Sequence, residues 1–147
     1  MSDWLLPWFP GALIETLAAD ADFLAACQGR VSSRAGADVS KPYATVQVIT
    51  SPPINDMRAA WRPTLQLVGW CPPGGTEEDP ALVAWRMAAT GIRAVLRTPK
   101  WGYDGWHGSF RVVLGPIEDV DQTRGPDAPV YGARVHIELT AKHGPAS

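Results

Sequence analysis

The sequence predicts an α+β fold: a single mixed, mainly antiparallel β-sheet of about four to five strands, with two main α-helices packed on it and long loops between. Three observations carry this. Two stretches repeat apolar residues at helical spacing, and four others are rich in β-branched residues or alternate at strand spacing. Their order along the chain is helix, two strands, helix, two strands. The third observation is size, since 147 residues suit one domain, spanning 1–147, that buries roughly two-thirds of its unfolded surface.

Pro10 is placed to open the first helix, and Leu13, Ile14, Leu17, Ala21 and Leu24 recur at three-, four- and seven-residue steps. The helix is therefore expected from Pro10 to Cys27, with Gly29 ending it and Val31 starting a short extended piece. Ser32 to Lys41 is polar and aperiodic and reads as a mobile loop. Pro42 biases Lys41 towards extended backbone, and Tyr43 to Ile49 is a β-branched run, hence a strand. Pro52 and Pro53 break it because neither can donate to a ladder, and a second strand runs from about Trp61 to Cys71. The two should pair antiparallel through a long connection.

Pro72-Pro73-Gly74-Gly75 ends that strand. Asp79-Pro80 then supplies a cap and a helix-opening proline for a helix reaching Arg97, whose Leu82, Trp85, Ala89, Ile92 and Leu96 share one arc. That arc is expected to lie on the sheet, with Gly91 permitting close packing. Asp104-Gly105 is a hairpin-turn signal between Trp101 and Trp106. Phe110 to Leu114 reads as a strand, and the acidic, Pro-containing piece from Pro116 to Pro129 as its connection to the last strand, Val130 to Lys142. In that last strand Val135, Ile137, Leu139 and Ala141 alternate with Arg134, His136, Glu138 and Thr140, so one face is buried and one wet.

Charge and composition exclude several classes of function. A net charge of -2 makes bare duplex nucleic acid a poor main partner, because phosphate neutralisation dominates such binding. Cys27 and Cys71 form no CxxC pair and are expected as buried thiols in a reducing cytoplasm. No apolar run reaches the ~20 residues of a membrane span, and neither secretion nor insertion is expected.

No convergent catalytic set appears. His107-Gly108-Ser109 with Asp104 lacks a nucleophile elbow, and strand alternation is expected to turn neighbouring residues to opposite faces. The histidines lack ligand spacing, Glu118-Asp119-Val120-Asp121 lacks the pattern of a calcium loop, and the glycine clusters lack a phosphate-loop lysine. The expectation is a chain without enzymatic activity, metal or cofactor.

Candidate residues instead suggest a surface that assembles. Arg86, Arg93 and Arg97 fall on one stripe of the second helix, either a solvated face or a contact with an acidic partner surface. Trp4, Trp8 and Phe9 form a proline-bounded aromatic segment that belongs either to the core or to an interface. Pro52, Pro53, Asn55 and Arg58, in the connection between the first two strands, complete the candidate interface. His136 and Glu138 share a face and read as members of cross-strand or intersubunit polar pairs.

The series Gly29-Arg30-Val31 after a helix, Lys41-Pro42-Tyr43 opening a strand, Thr64-Leu65-Gln66-Leu67-Val68, the helix Ala81 to Leu96 and the closing strand Tyr131 to Lys142 resembles the tail terminator, or tail-completion, proteins of long-tailed bacteriophages. The resemblance covers most of the chain. It implies a homohexameric ring on the last tail-tube ring, stopping tube polymerisation and presenting a surface for head joining, without catalysis. The implied partners are further copies of the chain, the tail-tube protein and the head-tail connector or stopper, with DNA only passing through the ring. The implied place is the tail/neck junction of the virion, after assembly in the host cytoplasm. A head-completion protein of the neck is the alternative within this class; a small hydrolase built on His107 and Ser109, or a generic binding module, are the alternatives outside it. The aromatic N-terminus and the Thr98 to Ser109 segment match no family motif.

Overall fold

The structure is a computed structural model that describes residues 5–34, 39–54, 57–122 and 129–144, with the side chains at 57–59 outside the description. Among the described residues the chain forms three helices and eight strands. The class matches the expected α+β arrangement. The strand number exceeds four to five because segments read as connections are themselves paired, and the second helix count rises because one predicted helix is two.

Helix α1 spans Phe9–Ala18 and α2 spans Ala21–Cys27, where the sequence predicted one helix from Pro10 to Cys27. The break has a local cause. Asp20 adopts extended backbone (φ -100°, ψ 114°), and its carboxylate accepts the Phe23 amide hydrogen at 2.9 Å, so it caps a new helix. Leu13, Leu17, Phe23 and Cys27 then enter the core, while Ala21 faces solvent. Gln28 (φ 55°) and Gly29 (φ 72°) end α2, with the Gly29 amide donating to the Leu24 carbonyl at 2.8 Å.

Strand β1, Val31–Ser32, pairs parallel with β2, Tyr43–Thr50. The predicted loop from Ser32 to Lys41 falls partly on residues 35–38, which lie outside the described residues. After β2 the chain stays extended: β3, Pro53–Ile54, pairs with β4, Met57–Trp61, and β2 pairs with β5, Thr64–Cys71. The expected antiparallel pair is thus present, but its long connection is the outer part of the same ribbon. Pro53 is accommodated because β3 is an edge strand, where a missing N–H costs no ladder bond.

The central strand is β8, Val130–His143. On one flank Trp61 faces Ala141 and Thr64 faces Glu138, so β4 and β5 keep one register across the Arg62–Pro63 interruption. The other flank carries β7, Trp106–Asp121, which forms a hairpin with β6, Lys100–Tyr103. The Asp104-Gly105 turn behaves as predicted, both residues at positive φ (51° and 78°), the geometry a two-residue hairpin of matching twist requires. Strand β7 runs seven residues past the predicted end at Leu114. Register shifts between Val112 and Leu114, and between Leu114 and Ile117, leave Pro116 outside the ladder, so its lack of a donor does not end the strand. Of the predicted Pro116 to Pro129 connection, residues 123–128 lie outside the described residues.

Helix α3, Pro80–Arg97, opens as predicted, the Asp79 carboxylate accepting the Ala81 amide hydrogen at 2.9 Å. All three helices serve one face of the sheet, packing on Val46, Leu65, Leu67, Val135, Ile137, Leu139 and Ala141. The face of α3 that meets the sheet is not the predicted one. Val83, Ala84, Met87, Ala88, Gly91, Ala94 and Val95 are buried, whereas Leu82, Trp85, Ala89 and Leu96 are exposed and Ile92 is half-buried. Small residues win the core position because they let the helix come close: a Cβ at Gly91 would lie 2.5 Å from Leu67 Cδ2, and one at Gly69 would lie 2.6 Å from Met87 Cβ. The larger apolar side chains are turned outwards. Met87→Ala should therefore cost about 2–5 kcal/mol, while Leu96→Ser should stay within about 0.5 kcal/mol, as read by urea denaturation.

Cys27 and Cys71 are buried free thiols, as expected. Burial raises both, Cys71 to about 11, which disfavours the reactive thiolate at neutral pH.

Candidate functional site

The three arginines of α3 do share a stripe, and each meets an acidic side chain of its own chain. Arg86 binds Glu78 through two nitrogens at 2.8 and 3.2 Å, Arg93 binds Asp22 at 2.6 Å, and Arg97 stands 3.7 Å from Asp22 and 3.9 Å from Asp20. Hydrogen bonding to Arg86 together with its charge holds the Glu78 carboxyl below its usual range and raises Arg86 in turn. The stripe thereby ties α3 to α2, with a shallow groove of about 320 Å³ between them lined by Asp22, Ala25, Ala26, Arg86, Thr90 and Arg93. Apart from the largely buried Asp20 carboxylate, the groups in these pairs are solvent-exposed, so water and salt screen them and each pair adds little to stability.

The aromatic N-terminal segment divides. Phe9 is buried in the core of its own chain and offers nothing to a partner, whereas Trp8 is 53% exposed. Trp4 lies outside the described residues. Leu5 and Leu6 are exposed beside Trp8, and the segment is held by the Trp106 indole, whose Nε1–H donates to the Leu5 carbonyl at 2.9 Å. In the ribbon formed by β3 and β4, Pro52 and Pro53 are exposed, and the Pro52 carbonyl accepts the Arg62 amide hydrogen at 2.9 Å. Asn55 and the Arg58 side chain lie outside the described residues.

Two edges of the sheet are open. Strand β6 covers β7 only from Trp106 to Ser109, so from Arg111 to Asp121 no strand pairs with the outer side of β7 among the described residues. At the opposite margin β1 covers Ala44 and Thr45, and among the described residues no outer strand pairs with Val46 to Thr50 of β2. Val113, Leu114 and Val120 are exposed on the first edge and Val48 and Ile49 on the second. Unpaired strand edges with apolar side chains are templates for pairing with another chain.

The sheet face opposite the helices carries Val68 and Trp70 towards β2 but is polar around the middle of β8 and its pairing with β7, and the residues there pair across strands. His136 Nε2 meets Gln66 Oε1 at 3.1 Å, Arg111 donates to Glu138 at 3.0 Å, and the Ser109 and Thr140 hydroxyls are 2.9 Å apart. The cross-strand pairing expected for His136 and Glu138 is present, with different partners for each. Two shallow hollows share Ser109 and Thr140. One, of about 240 Å³, is also lined by Lys100, Trp101, His107, Gly108 and Lys142; the other, of about 350 Å³, by Arg62, Arg111 and Glu138. His107 and Ser109 therefore share a face, because they are two residues apart rather than adjacent; the expectation of opposite faces does not hold. They are bonded elsewhere, His107 Nδ1 to the Gly144 carbonyl at 2.9 Å and Ser109 to Thr140.

Sequence reading missed this cationic face. Alternation in β8 marked Arg134 to Thr140 as wet, but the neighbours Arg62, Lys100 and Arg111 come from the β4–β5 junction, β6 and β7, which only pairing brings together. Among the described residues no group of His, Cys, Asp and Glu could hold a metal ion, and no helix is long and apolar enough to cross a membrane.

The fold therefore defines the class: a layer of helices on one face of a long-stranded, mainly antiparallel sheet whose other face is in part exposed and polar and whose two margins are partly unpaired among the described residues. Among solved structures the same fold occurs in a chain described as "Virion of native gene transfer agent (GTA) particle", with a TM-score of 0.56 at 12% identity, covering 89% of this chain and 93% of that one. No family model matches the sequence, and no curated protein does.

Proposed function

We propose that this chain is a structural component of a tailed, phage-type virion, and that within it the chain acts as the tail terminator. The observation that carries this is the fold shared, over nearly the full length of both chains, with a chain of a gene transfer agent virion. The sequence resemblance to tail-completion proteins points the same way. In this reading the chain forms a closed ring, caps the last ring of tail-tube protein, stops its polymerisation and offers the connector or stopper protein a surface for head joining. It performs no catalysis and needs no cofactor.

The open margins support assembly between copies. Because they lie on opposite sides of one sheet, a contact joining the β7 edge of one copy to the β2 edge of the next is heterologous, and such contacts generate rings when the rotation closes. The exposed apolar row on α3 adds a further surface that a lone chain leaves in water.

The test is deletion in the producing particle system. Heads and tail tubes should form without joining, with tubes longer than normal, and purified protein added to the lysate should restore joining to tubes of regular length. Normal joined particles would overturn the reading. Regular tails with DNA leaking from filled heads would move the chain to the head-completion position in the neck.

A further inference from the structure

We propose that the helix-free face of the sheet binds the phosphate backbone of duplex DNA through a cationic cradle assembled from three strands and the β4–β5 junction. The register places the residues. Lys100 of β6 lies opposite Ser109 of β7, which lies opposite Thr140 of β8; His107 lies opposite Lys142; Arg111 lies opposite Glu138. Arg62, between β4 and β5, lines the same hollow as Arg111, and Arg134 continues the row along β8 on the same face. Among the described residues this face gathers Arg62, Lys100, Arg111, Arg134 and Lys142 against Glu138, Asp119 and Asp121, five positive groups to three negative, in a chain whose net charge is -2. Glu138, the acid nearest its centre, is already bonded to Arg111. The remaining acids on this face, Asp119 and Asp121, lie at its far end beside Gly132 and Val130.

The floor of the cradle is low. Gly108, Ser109 and Thr140 keep bulk away from its centre, while Arg62, Lys100, Arg111 and Lys142 are exposed and long enough to follow a polyanion. The composition favours nucleic acid over protein. Protein interfaces have apolar centres depleted in charge, and among the described residues the one large apolar side chain lining the two hollows is Trp101, which is itself 5% exposed. Exposed apolar residues lie on the N-terminal segment, on α3, at the end of β2 and along β7 from Val113 onwards, where Leu114 opposite His136 borders the cradle. Nothing here is shaped to enter a groove, so the contact reads backbone charge and not sequence.

This inference rests on the charge pattern of one face and not on tail capping. Full-length protein titrated with a labelled mixed-sequence duplex should bind with affinity that falls as salt rises. Arg62, Lys100 and Lys142, leaving out Arg111 because Glu138 holds it, give a log–log slope of about -2.7. Lys100→Glu with Lys142→Glu should lower affinity at least roughly tenfold and flatten the slope by about 2, with an unchanged melting curve. Arg62→Gln, at an exposed position, provides a second variant that should flatten the slope by about 1. Lys100→Arg with Lys142→Arg should bind as the parent does. Absence of binding at low salt, or equal binding by the charge-reversed protein, would overturn the proposal. So would competition by poly-glutamate at equal charge as effective as DNA, which would assign the face to an acidic protein. A chain that binds DNA in this way while its deletion leaves joined particles intact keeps this inference and removes the tail-terminator reading.

Discussion

Gly108→Ala should destabilise the fold by about 4 kcal/mol or more, enough to abolish soluble expression in many backgrounds. A Cβ at this position would stand 1.6 Å from the Thr140 carbonyl oxygen and 2.6 Å from its carbon. Both are backbone atoms of the central strand, so no rotamer change relieves the overlap and β7 must move away from β8. That separation breaks the longest pairing in the molecule, which runs from Trp106 opposite His143 to Asp121 opposite Val130. Gly105→Ala is the control: a Cβ there meets nothing within 4 Å, and its positive φ of 78° leaves only local backbone strain of about 1 kcal/mol. Circular dichroism of the two variants after identical purification separates them. A folded Gly108→Ala protein with parental melting would show that the strands at this point have freedom the structure does not display.

Trp106→Ala should cost about 3–5 kcal/mol, a large part of the ~5–15 kcal/mol that holds a typical domain together. The indole is 2% exposed and lies edge-on to the His143 ring at 5.4 Å between centroids. Its Nε1–H also holds the Leu5 carbonyl. Two losses therefore coincide, a large cavity beneath the sheet end and release of the N-terminal segment. Trp106→Phe separates them, since it keeps most of the packing and removes the donor. A typical lost hydrogen bond is worth about 1 kcal/mol. Urea denaturation reads the first effect, and proteolytic cleavage between Leu5 and Trp8 reads the second. Unchanged cleavage in Trp106→Phe would mean the segment is held by packing alone.

Much of the fold was legible because its signals are local. The alternation of Val135, Ile137, Leu139 and Ala141, the Asp79-Pro80 helix opening, the Asp104-Gly105 turn and the β-branched run at Tyr43 each depend on the residues beside them. Errors arose where a local rule competes with pairing. Pro116 and Pro53 read as breakers, yet a bulge and an edge position each absorb a missing donor, and both depend on the neighbouring strand. Asp20 read as one more helical residue, although its extended backbone makes it a cap.

The candidate surface was less legible. The stripe of Arg86, Arg93 and Arg97 followed from helical spacing, but not the acids of α2 and the preceding turn that meet it. Trp8 and Phe9 are adjacent in sequence and end on opposite sides of the protein surface, one exposed and one buried.

The sequence by itself determined the class of fold, most strand and helix positions and the burial of both thiols, because hydrophobic period and turn chemistry act over a few residues. Only the tertiary structure decided which face of α3 meets the sheet. Both arcs of that helix are apolar, and the arc of Ala84, Ala88 and Gly91 prevails because small residues admit the close approach that Leu67 and Phe23 demand. Strand pairing likewise decided which cations stand together on the open face. Arg62, Lys100, Arg111 and Lys142 become neighbours through hydrogen-bond register between strands, and register is a property of the paired sheet that no single segment carries.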